Sequence, residues 1–538
     1  MFFKFFLCGL LSALPFVFPA LWPLSWVALV PAAFMLMRKG SEIKKRKAYL
    51  YGLGFGFGYF GVMFYWFTCL YPMEFAGLGN FESLVLVCVC WFGLALLQSI
   101  EFGFVTLLYR LIRPDKNKIW LCALLFSALW VVFEWQQTLF WRGVPWARLA
   151  VSQSAVPFLQ QSASLLGGLF TGAIIASVNA FIAAALYSIL GDKPIKELPG
   201  VFLSGIRKKK TIIFASVSLG IFTFNAVFGA IRCLTYDVTS DRKLTAAVIQ
   251  GNISSLDKWA DDSVERSARI YLDLTEKCVN ETGAELVVWP ETVITANLRT
   301  ATGVSSLISA KAKELDITLF VGAYDIETAE DEKKYYNSIY IFYPDGSVGE
   351  NTYKKQHLVP FGEYTPMEEL IKAILPVLYD INILSDPFTP GTESEVFDTE
   401  YGKIGSLICF DSIYETLALN SVRDGAELIT LSTNDSWFRD SAAVYQHNSH
   451  ACLRAIENGR YVVRAANTGV STIISPKGET LTLIDPLTEG FAAAEVYMKN
   501  ERTLYSYTGN LFVYVCIAFI SAVLVYSRVK DARKRETF

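Results

Sequence analysis

The chain has 538 residues, of which 53% are hydrophobic and 14% aromatic, and its mean hydropathy is +0.35. That is too apolar for an ordinary soluble protein and too long for one domain, so part of it should be membrane-embedded and part globular. The formal net charge of -3, with Lys and Arg clusters confined to the flanks of apolar runs, excludes a nucleic-acid-binding footprint.

Long apolar runs recur near residues 2–18, 21–37, 48–71, 83–109, 119–138, 164–190 and 211–231, with one more near 508–527. A helix needs about 20 apolar residues to cross a bilayer, so the pattern predicts an α-helical membrane bundle of about eight transmembrane helices. The first two runs are short and meet at "FPALWPL", whose two prolines suit a tight helical hairpin. Residues 1–20 have an alternative reading as a cleaved signal peptide, because Lys4 precedes an apolar stretch followed by small residues.

Lys and Arg collect in the breaks at 38–47, 110–118 and 193–210 and in the tail from Arg528, whereas "YPMEFAGLGNFE" and "WRGVPWARLAVSQS" hold few. Eight spans put all four basic segments on one side, which the positive-inside rule makes cytoplasmic. Three regions follow: a transmembrane domain over 1–232, an extracytoplasmic domain over 233–505, and a last span with a basic cytoplasmic tail over 506–538.

Between Lys243 and Tyr497 the composition is that of a globular domain. Strand-like runs "LTAAVIQ", "AELVVWPE", "ITLFVGAY", "NSIYIFYP", "KIGSLICF", "AELITLSTN" and "GVSTIISP" alternate with helical stretches such as "SVERSARIYLDLTEKCV" and "VSSLISAKAKEL". "YPDGSV" reads as a hairpin turn with Asp345 and Gly346 at its tip. The alternation predicts a layered α/β fold.

The stretch "IGSLICFDSIYE" places Cys409 where a buried strand turns into a helix, a context that lifts a thiol into a cleft. A free thiol, with a pKa of roughly 8.5, needs a base or a cation beside it to act near neutral pH. "LVVWPET" offers Glu291, and "YKKQHLVPFGEY" offers Lys355 and Glu363, each at the end of an apolar run. A carboxylate, an ammonium and a thiol make a coherent acyl-transfer set of general base, oxyanion stabiliser and nucleophile. Read singly, Glu291 could cap a helix, Lys355 could be one solvated lysine beside Lys354, and Glu363 could be a loop residue paired to a cation. The ten cysteines show no zinc or disulfide spacing, and His357, His447 and His450 make no full ligand set, so no metal and no cofactor are expected and the histidines read as structural.

The order "WPE", "YKKQHLVPFGEY", "ICFD" resembles the nitrilase, or carbon–nitrogen hydrolase, superfamily, whose members carry a Glu–Lys–Cys triad in an αββα sandwich. Within it, "HLVPFGEY" together with the membrane spans resembles the apolipoprotein N-acyltransferase family. The likeness extends through "QGNISSLDKW", "NDSWF" and "RAIENGRYVVRAANTGVS" and into the membrane part at "GVPW". The resemblance implies that Glu291 is the proton acceptor, Lys355 the oxyanion stabiliser and Cys409 the nucleophile. It also implies that Glu363 supports the intermediate or orients Lys355, and that Trp259 lies near the site. The family commonly has Tyr-Glu after the nucleophile. This chain has Phe410 and Asp411, which keep a ring and a charge but lose a hydroxyl and shorten an arm.

The resemblance further implies a bacterial inner-membrane enzyme with its catalytic domain on the periplasmic side and its C-terminus in the cytoplasm. Cys409 would take an acyl chain from a phospholipid as a thioester and pass it to the α-amino group of a lipoprotein's diacylglyceryl-cysteine. The expected partners are therefore a phospholipid donor, a diacylated lipoprotein acceptor and the bilayer, with the chain acting as a monomer. Trp141, Val144 and Trp146, in an outer loop, are candidates for an apolar lipid-facing rim, since Trp is enriched at bilayer interfaces, or for ordinary interfacial anchors. Two other readings stay open: a membrane-tethered amidase that releases product to water, and a non-enzymatic transporter or scaffold. The transporter reading asks for paired intramembrane charges, and Glu101 and Glu134 are the main candidates, without obvious basic partners.

Overall fold

The computed structural model describes residues 1–39, 42–73, 77–112, 118–139, 143–254, 262–329, 332–374 and 387–536. The chain divides into two compact units, one formed by 1–68, 86–235 and 508–538, the other by 69–85 and 236–507.

The first unit is helical. Among the described residues, six helical segments are long and apolar enough to cross a membrane: Pro19–Lys39, Asn80–Ile112, Ile119–Gln136, Gly168–Leu190, Lys209–Thr235 and Leu511–Lys530. Phe2–Val17 is a shorter apolar helix, and Lys45–Met63 forms a further helix of 19 residues. These two helices cross where glycines remove side-chain bulk: a Cβ on Gly9 would lie 2.0 Å from the Phe55 carbonyl oxygen, and one on Gly58 would lie 2.3 Å from that of Phe6. An aromatic cluster of Phe55, Phe102 and Trp130 fills the interior beside them.

Glu134 is buried in this unit and does have a basic neighbour, which the sequence reading lacked. Its Oε1 accepts from Trp130 Nε1 at 2.9 Å and from the Leu149 amide at 2.7 Å, while the Arg148 guanidinium donates to its backbone carbonyl. Glu101 accepts from the Gln136 side-chain amide. Both carboxylates are thus built into helix packing.

The second unit is a two-sheet sandwich. Its first sheet contains β1 (Lys243–Gln250), β2 (Leu286–Val288), β3 (Ile294–Asn297), β4 (Thr318–Ala329), β5 (Glu332–Phe342) and β6 (Tyr353–Lys354). The second contains β7 (Val396–Thr399), β8 (Gly402–Ile408), β9 (Leu428–Thr433), β10 (Val462–Ala466), β11 (Ser471–Ile474) and β12 (Thr480–Ile484), after which β13 (Gly490–Tyr497) returns to the first. The orders are β13-β1-β2-β4-β5-β6, with β3 beside β4, and β12-β11-β10-β9-β8-β7. β1, β2 and β4 run parallel, as do β8, β9 and β10, so each sheet has a parallel centre with antiparallel edges.

The two-residue period of the strands sorts their side chains between two cores. Leu244, Ala246 and Val248 of β1, Leu286 and Val288 of β2, and Ile339 and Ile341 of β5 meet Ile404, Ile408, Leu428, Val463 and Ile473 between the sheets. The intervening Ala247, Ile249, Val287, Tyr340 and Phe342 pack with Tyr271, Cys278, Ile308 and Ala312 of helices Ser263–Thr282 and Thr302–Leu315 on the outer face. Helices Glu415–Arg423 and Ala442–Asn458 lie against the second sheet. The "YPDGSV" hairpin turn forms, with Gly346 donating to the Tyr343 carbonyl at 2.9 Å and φ of +86° at Gly346, and the chain returns antiparallel to β5 through the bridge Phe342–Val348 and then β6.

Candidate active site

Parallel strands carry reactive groups at their carboxyl ends, and β2, β8 and β9 do so together here. β2 runs into Trp289, Pro290 and Glu291, β8 ends at Ile408 before Cys409, and β9 ends at Thr433 before Asn434 and Asp435. Lys355 follows the two-residue β6 at the first sheet's edge, its amide donating to the Asn337 carbonyl at 2.9 Å.

The structure brings Glu291, Lys355 and Glu363 into contact. Lys355 Nζ lies 2.8 Å from Glu291 Oε1 and 2.9 Å from Glu363 Oε1, with all three side chains buried. Asn337, in the middle of β5, donates through one Nδ2 to Glu291 Oε1 at 2.7 Å and to Glu363 Oε1 at 2.9 Å. Glu363 Oε2 accepts from the Val359 amide and Glu291 Oε2 from the Asn434 amide, at 2.8 and 2.9 Å. Burial works against the Lys355 ammonium, but the charges of Glu291 and Glu363 outweigh it and hold its pKa well above the ordinary lysine range.

Cys409 opens the short 3-10 turn Cys409–Ile413, at a φ of +48° that non-glycine residues rarely adopt. Burial first, then the Glu291 charge, push its thiol well above the ordinary range, against the pull of Lys355 and a hydrogen bond with Thr433. The resting sulfur is therefore a thiol, which needs a base before it can attack. Phe410 sets its ring edge-on to Tyr414, with centroids 5.7 Å apart. Asp411 turns inward and accepts from Tyr353 Oη at 2.8 Å, the His357 amide at 2.8 Å and the Ile408 amide at 3.2 Å, while burial pushes its carboxyl up to about 7.

Trp141 and Trp259 lie outside the described residues. Val144 and Trp146 do not form an exposed rim: they are 9% and 2% exposed, and the Trp146 ring packs beside Trp66 with centroids 6.2 Å apart. An indole at this loop completes the helical unit's interior because its large apolar area is better removed from solvent.

Four further groups belong to the site. Asn337 and Asn434 fix the carboxylates, and His447 with Asp435 stands behind Cys409. His447 Nδ1 donates to Asp435 Oδ1 at 2.8 Å, and Arg464 Nη2 donates to Asp435 Oδ2 at 2.7 Å. Donor atoms of Cys409, Asp435 and His447 come within 4.8 Å of one another, the reach of a metal-ligand set. Yet both Asp435 oxygens are committed, and a guanidinium beside one of them opposes a dication, so the donor set fits a hydrogen-bond chain better than a metal centre. For Asn434 and Asp435 the sequence signal is their place in the polar segment "NDSWF" directly after an apolar run, whereas Asn337 offers only an amide in the strand-like run "NSIYIFY" and His447 offers no local signal.

Facing sheets with parallel centres, and a carboxylate, an ammonium and a thiol at their strand ends, are the architecture of the carbon–nitrogen hydrolases, and residues 245–504 match the carbon–nitrogen hydrolase family model. Residues 8–181 match the apolipoprotein N-acyltransferase N-terminal domain model. Curated relatives named apolipoprotein N-acyltransferase include one from Geobacter metallireducens, 29% identical over 517 residues, spanning 96% of this chain and 93% of that protein. Another, from Nostoc sp., is 29% identical over 512 residues, spanning 93% of this chain and 94% of its own. Among solved structures, Saccharomyces cerevisiae Nit3, of branch 10 of the nitrilase superfamily, matches at 22% identity and a TM-score of 0.37 over 51% of this chain and 95% of that one. The chain belongs to the apolipoprotein N-acyltransferase family.

Proposed function

We propose that the chain moves an acyl group from a phospholipid, through a Cys409 thioester, to the α-amino group of a lipoprotein's diacylglyceryl-cysteine. The observation that carries this reading is Lys355 clamped between Glu291 and Glu363 beside the turn that presents Cys409. In the first step Glu291 takes the Sγ proton as sulfur attacks the ester carbonyl. Lys355 stabilises the tetrahedral oxyanion, and the proton passes to the leaving lysophospholipid oxygen. In the second step the acceptor amine attacks the thioester, Glu291 takes the amine's proton and returns it to the departing sulfur. Glu363 and Asn337 hold Lys355 and Glu291 in register, and every one of these groups comes from one chain, which suits a monomer.

Among the described residues, the six long apolar segments, joined by Phe2–Val17 and by Lys45–Met63, which is apolar after its opening Lys-Arg-Lys, support a bundle of eight spans. With eight, the basic segments share the cytoplasmic face and the domain over 233–505 lies on the outer side of a bacterial inner membrane. Tethering there raises the local concentration of two lipid-anchored substrates.

The test is to incubate the protein with phospholipid labelled in its acyl chain and look for a hydroxylamine-sensitive adduct. Cys409→Ser should abolish it, and persistence of the adduct refutes the nucleophile. Discharge to a diacylated lipopeptide, seen by mass at its N-terminus, supports transfer, whereas discharge to water alone supports a tethered hydrolase.

A further inference from the structure

Three groups with the composition of a Cys–His–Asp protease triad lie together in this domain, and their bonding gives the histidine another task. His447 lies on helix Ala442–Asn458, which packs against the turn Cys409–Ile413. Its Nδ1 is taken by the Asp435 carboxylate at 2.8 Å. Its Nε2 lies 3.0 Å from Ser412 Oγ and 3.1 Å from the backbone carbonyl oxygen of Cys409. Ser412 Oγ donates to the same carbonyl at 2.8 Å, so two side chains converge on the one peptide oxygen that a left-handed Cys409 turns away from its strand.

The support behind the ring is rigid. Asp435 accepts from Arg464 Nη2 at 2.7 Å and from Thr433 Oγ1 at 3.1 Å, and Arg464 also donates to the Val470 carbonyl. His447, Asp435 and Arg464 are all buried. Arg454 adds a longer contact of 3.3 Å to the Ser412 carbonyl at the far end of the turn. A backbone conformation that a side chain disfavours persists only where its surroundings over-determine it, and this chain of bonds does so.

We propose that His447 is a positioning residue: braced by Asp435 and Arg464, its imidazolium donates through Nδ1 to Asp435 and through Nε2 to the Cys409 carbonyl, and thereby fixes the strained turn that presents Sγ to Glu291 and Lys355. It takes no proton from the thiol. The inference rests on the acyl-enzyme reading only in making Cys409 the group that is positioned.

The test uses full-length protein in detergent with His447→Ala, His447→Asn and His447→Gln. Two rates are read across pH: acylation by labelled phospholipid in a single turnover, and alkylation of Cys409 by iodoacetamide, located by peptide mass. A glutamine amide reaches the Nε2 position and the Cys409 carbonyl, whereas an asparagine amide reaches only Asp435. Misplacing a nucleophile by about 1 Å costs about 10²-fold, so the alanine and asparagine variants should lose activity on that scale, with glutamine, whose amide donates to the same carbonyl, restoring it to within a few-fold. Should alanine fail to fold, the contrast between asparagine and glutamine carries the same information. Wild-type rates in the asparagine variant overturn the proposal, as does a glutamine variant as slow as the asparagine one. If Cys409→Ser still forms the acyl adduct while His447→Asn slows alkylation, positioning stands and the acyl-enzyme reading falls.

Discussion

The backbone amide of Asn434 donates to Glu291 Oε2 at 2.9 Å, across the seam between the two sheets. Glu291 follows β2 of one sheet and Asn434 follows β9 of the other, and Ser432 Oγ crosses the same seam to the Trp289 carbonyl at 2.8 Å. The direction of the carboxylate is therefore set by how the sheets stack, with Oε1 left for Lys355 and Asn337. A base carried on packed strands keeps its aim better than one carried on a free loop.

That stacking makes a remote glycine decisive. A Cβ on Gly322 of β4 would lie 2.1 Å from the Pro290 carbonyl oxygen, 2.7 Å from the Thr292 nitrogen and 2.8 Å from the Glu291 Cα, all of them backbone and unable to swing aside. Gly322→Ala should destabilise the domain by about 1–3 kcal/mol, the usual cost of overpacking. Acylation should fall by about 10²-fold because Glu291 is pushed off its line. Thermal unfolding and single-turnover acylation measure the two effects, and an unchanged acylation rate would show that the strand end tolerates displacement.

Lys355 separates two carboxylates, so its removal has two consequences that can be pulled apart. Lys355→Met leaves Glu291 and Glu363 facing each other in a buried site, and breaking a buried pair in this way costs about 3–5 kcal/mol. It also removes an oxyanion donor, worth about 10²–10³-fold in rate. Adding Glu363→Gln to the methionine variant deletes the surplus charge. The double variant should recover most of the lost stability and none of the lost acylation. Recovery of both would mean that Lys355 serves the fold alone.

Much of this was legible in the chain because the relevant signals are local. The runs at 244–250, 317–324, 403–410 and 426–434 are apolar enough to announce buried strands, and β1, β4, β8 and β9 overlap them. Glu291, Lys355 and Glu363 could be marked because each interrupts such a run with a charge. What could not be read was partnership at long range. β13 lies beside β1 although about 240 residues separate them in sequence, and its "FAAAEVY" is too small and mixed to look like a core strand. Likewise His447 looks like any helix residue until the helix is docked, and only then does its ring meet the Cys409 carbonyl. Val144 and Trp146 show the reverse failure: an aromatic loop between spans reads as interfacial, and only packing reveals that it is filled from within.

Asp411 and His357 share a hydrogen bond of 2.8 Å and should titrate in opposite senses. Burial pushes the Asp411 carboxyl up from 3.8 to about 7, against the pull of the His357 amide, Lys355 and Tyr353, so the folded protein holds that proton more tightly than the unfolded chain does. The stability this supplies, about 4 kcal/mol at most, is complete below pH 3.8 and is lost as pH rises through about 7. His357 stacks on Tyr414 with centroids 3.8 Å apart, and burial pushes it down from 6.5 to about 4. Its contribution is complete above pH 6.5 and is lost as pH falls through about 4, because the unfolded chain takes up the proton first. Unfolding midpoints of the full-length protein in detergent, taken from pH 4 to 8, test both. The stability gap between wild type and Asp411→Asn should narrow as pH rises, and His357→Gln should flatten the acid side alone. A gap that widens toward pH 8 would show instead that the three hydrogen bonds hold Asp411 as a carboxylate, and the turn after Cys409 would then carry a buried negative charge throughout the working range.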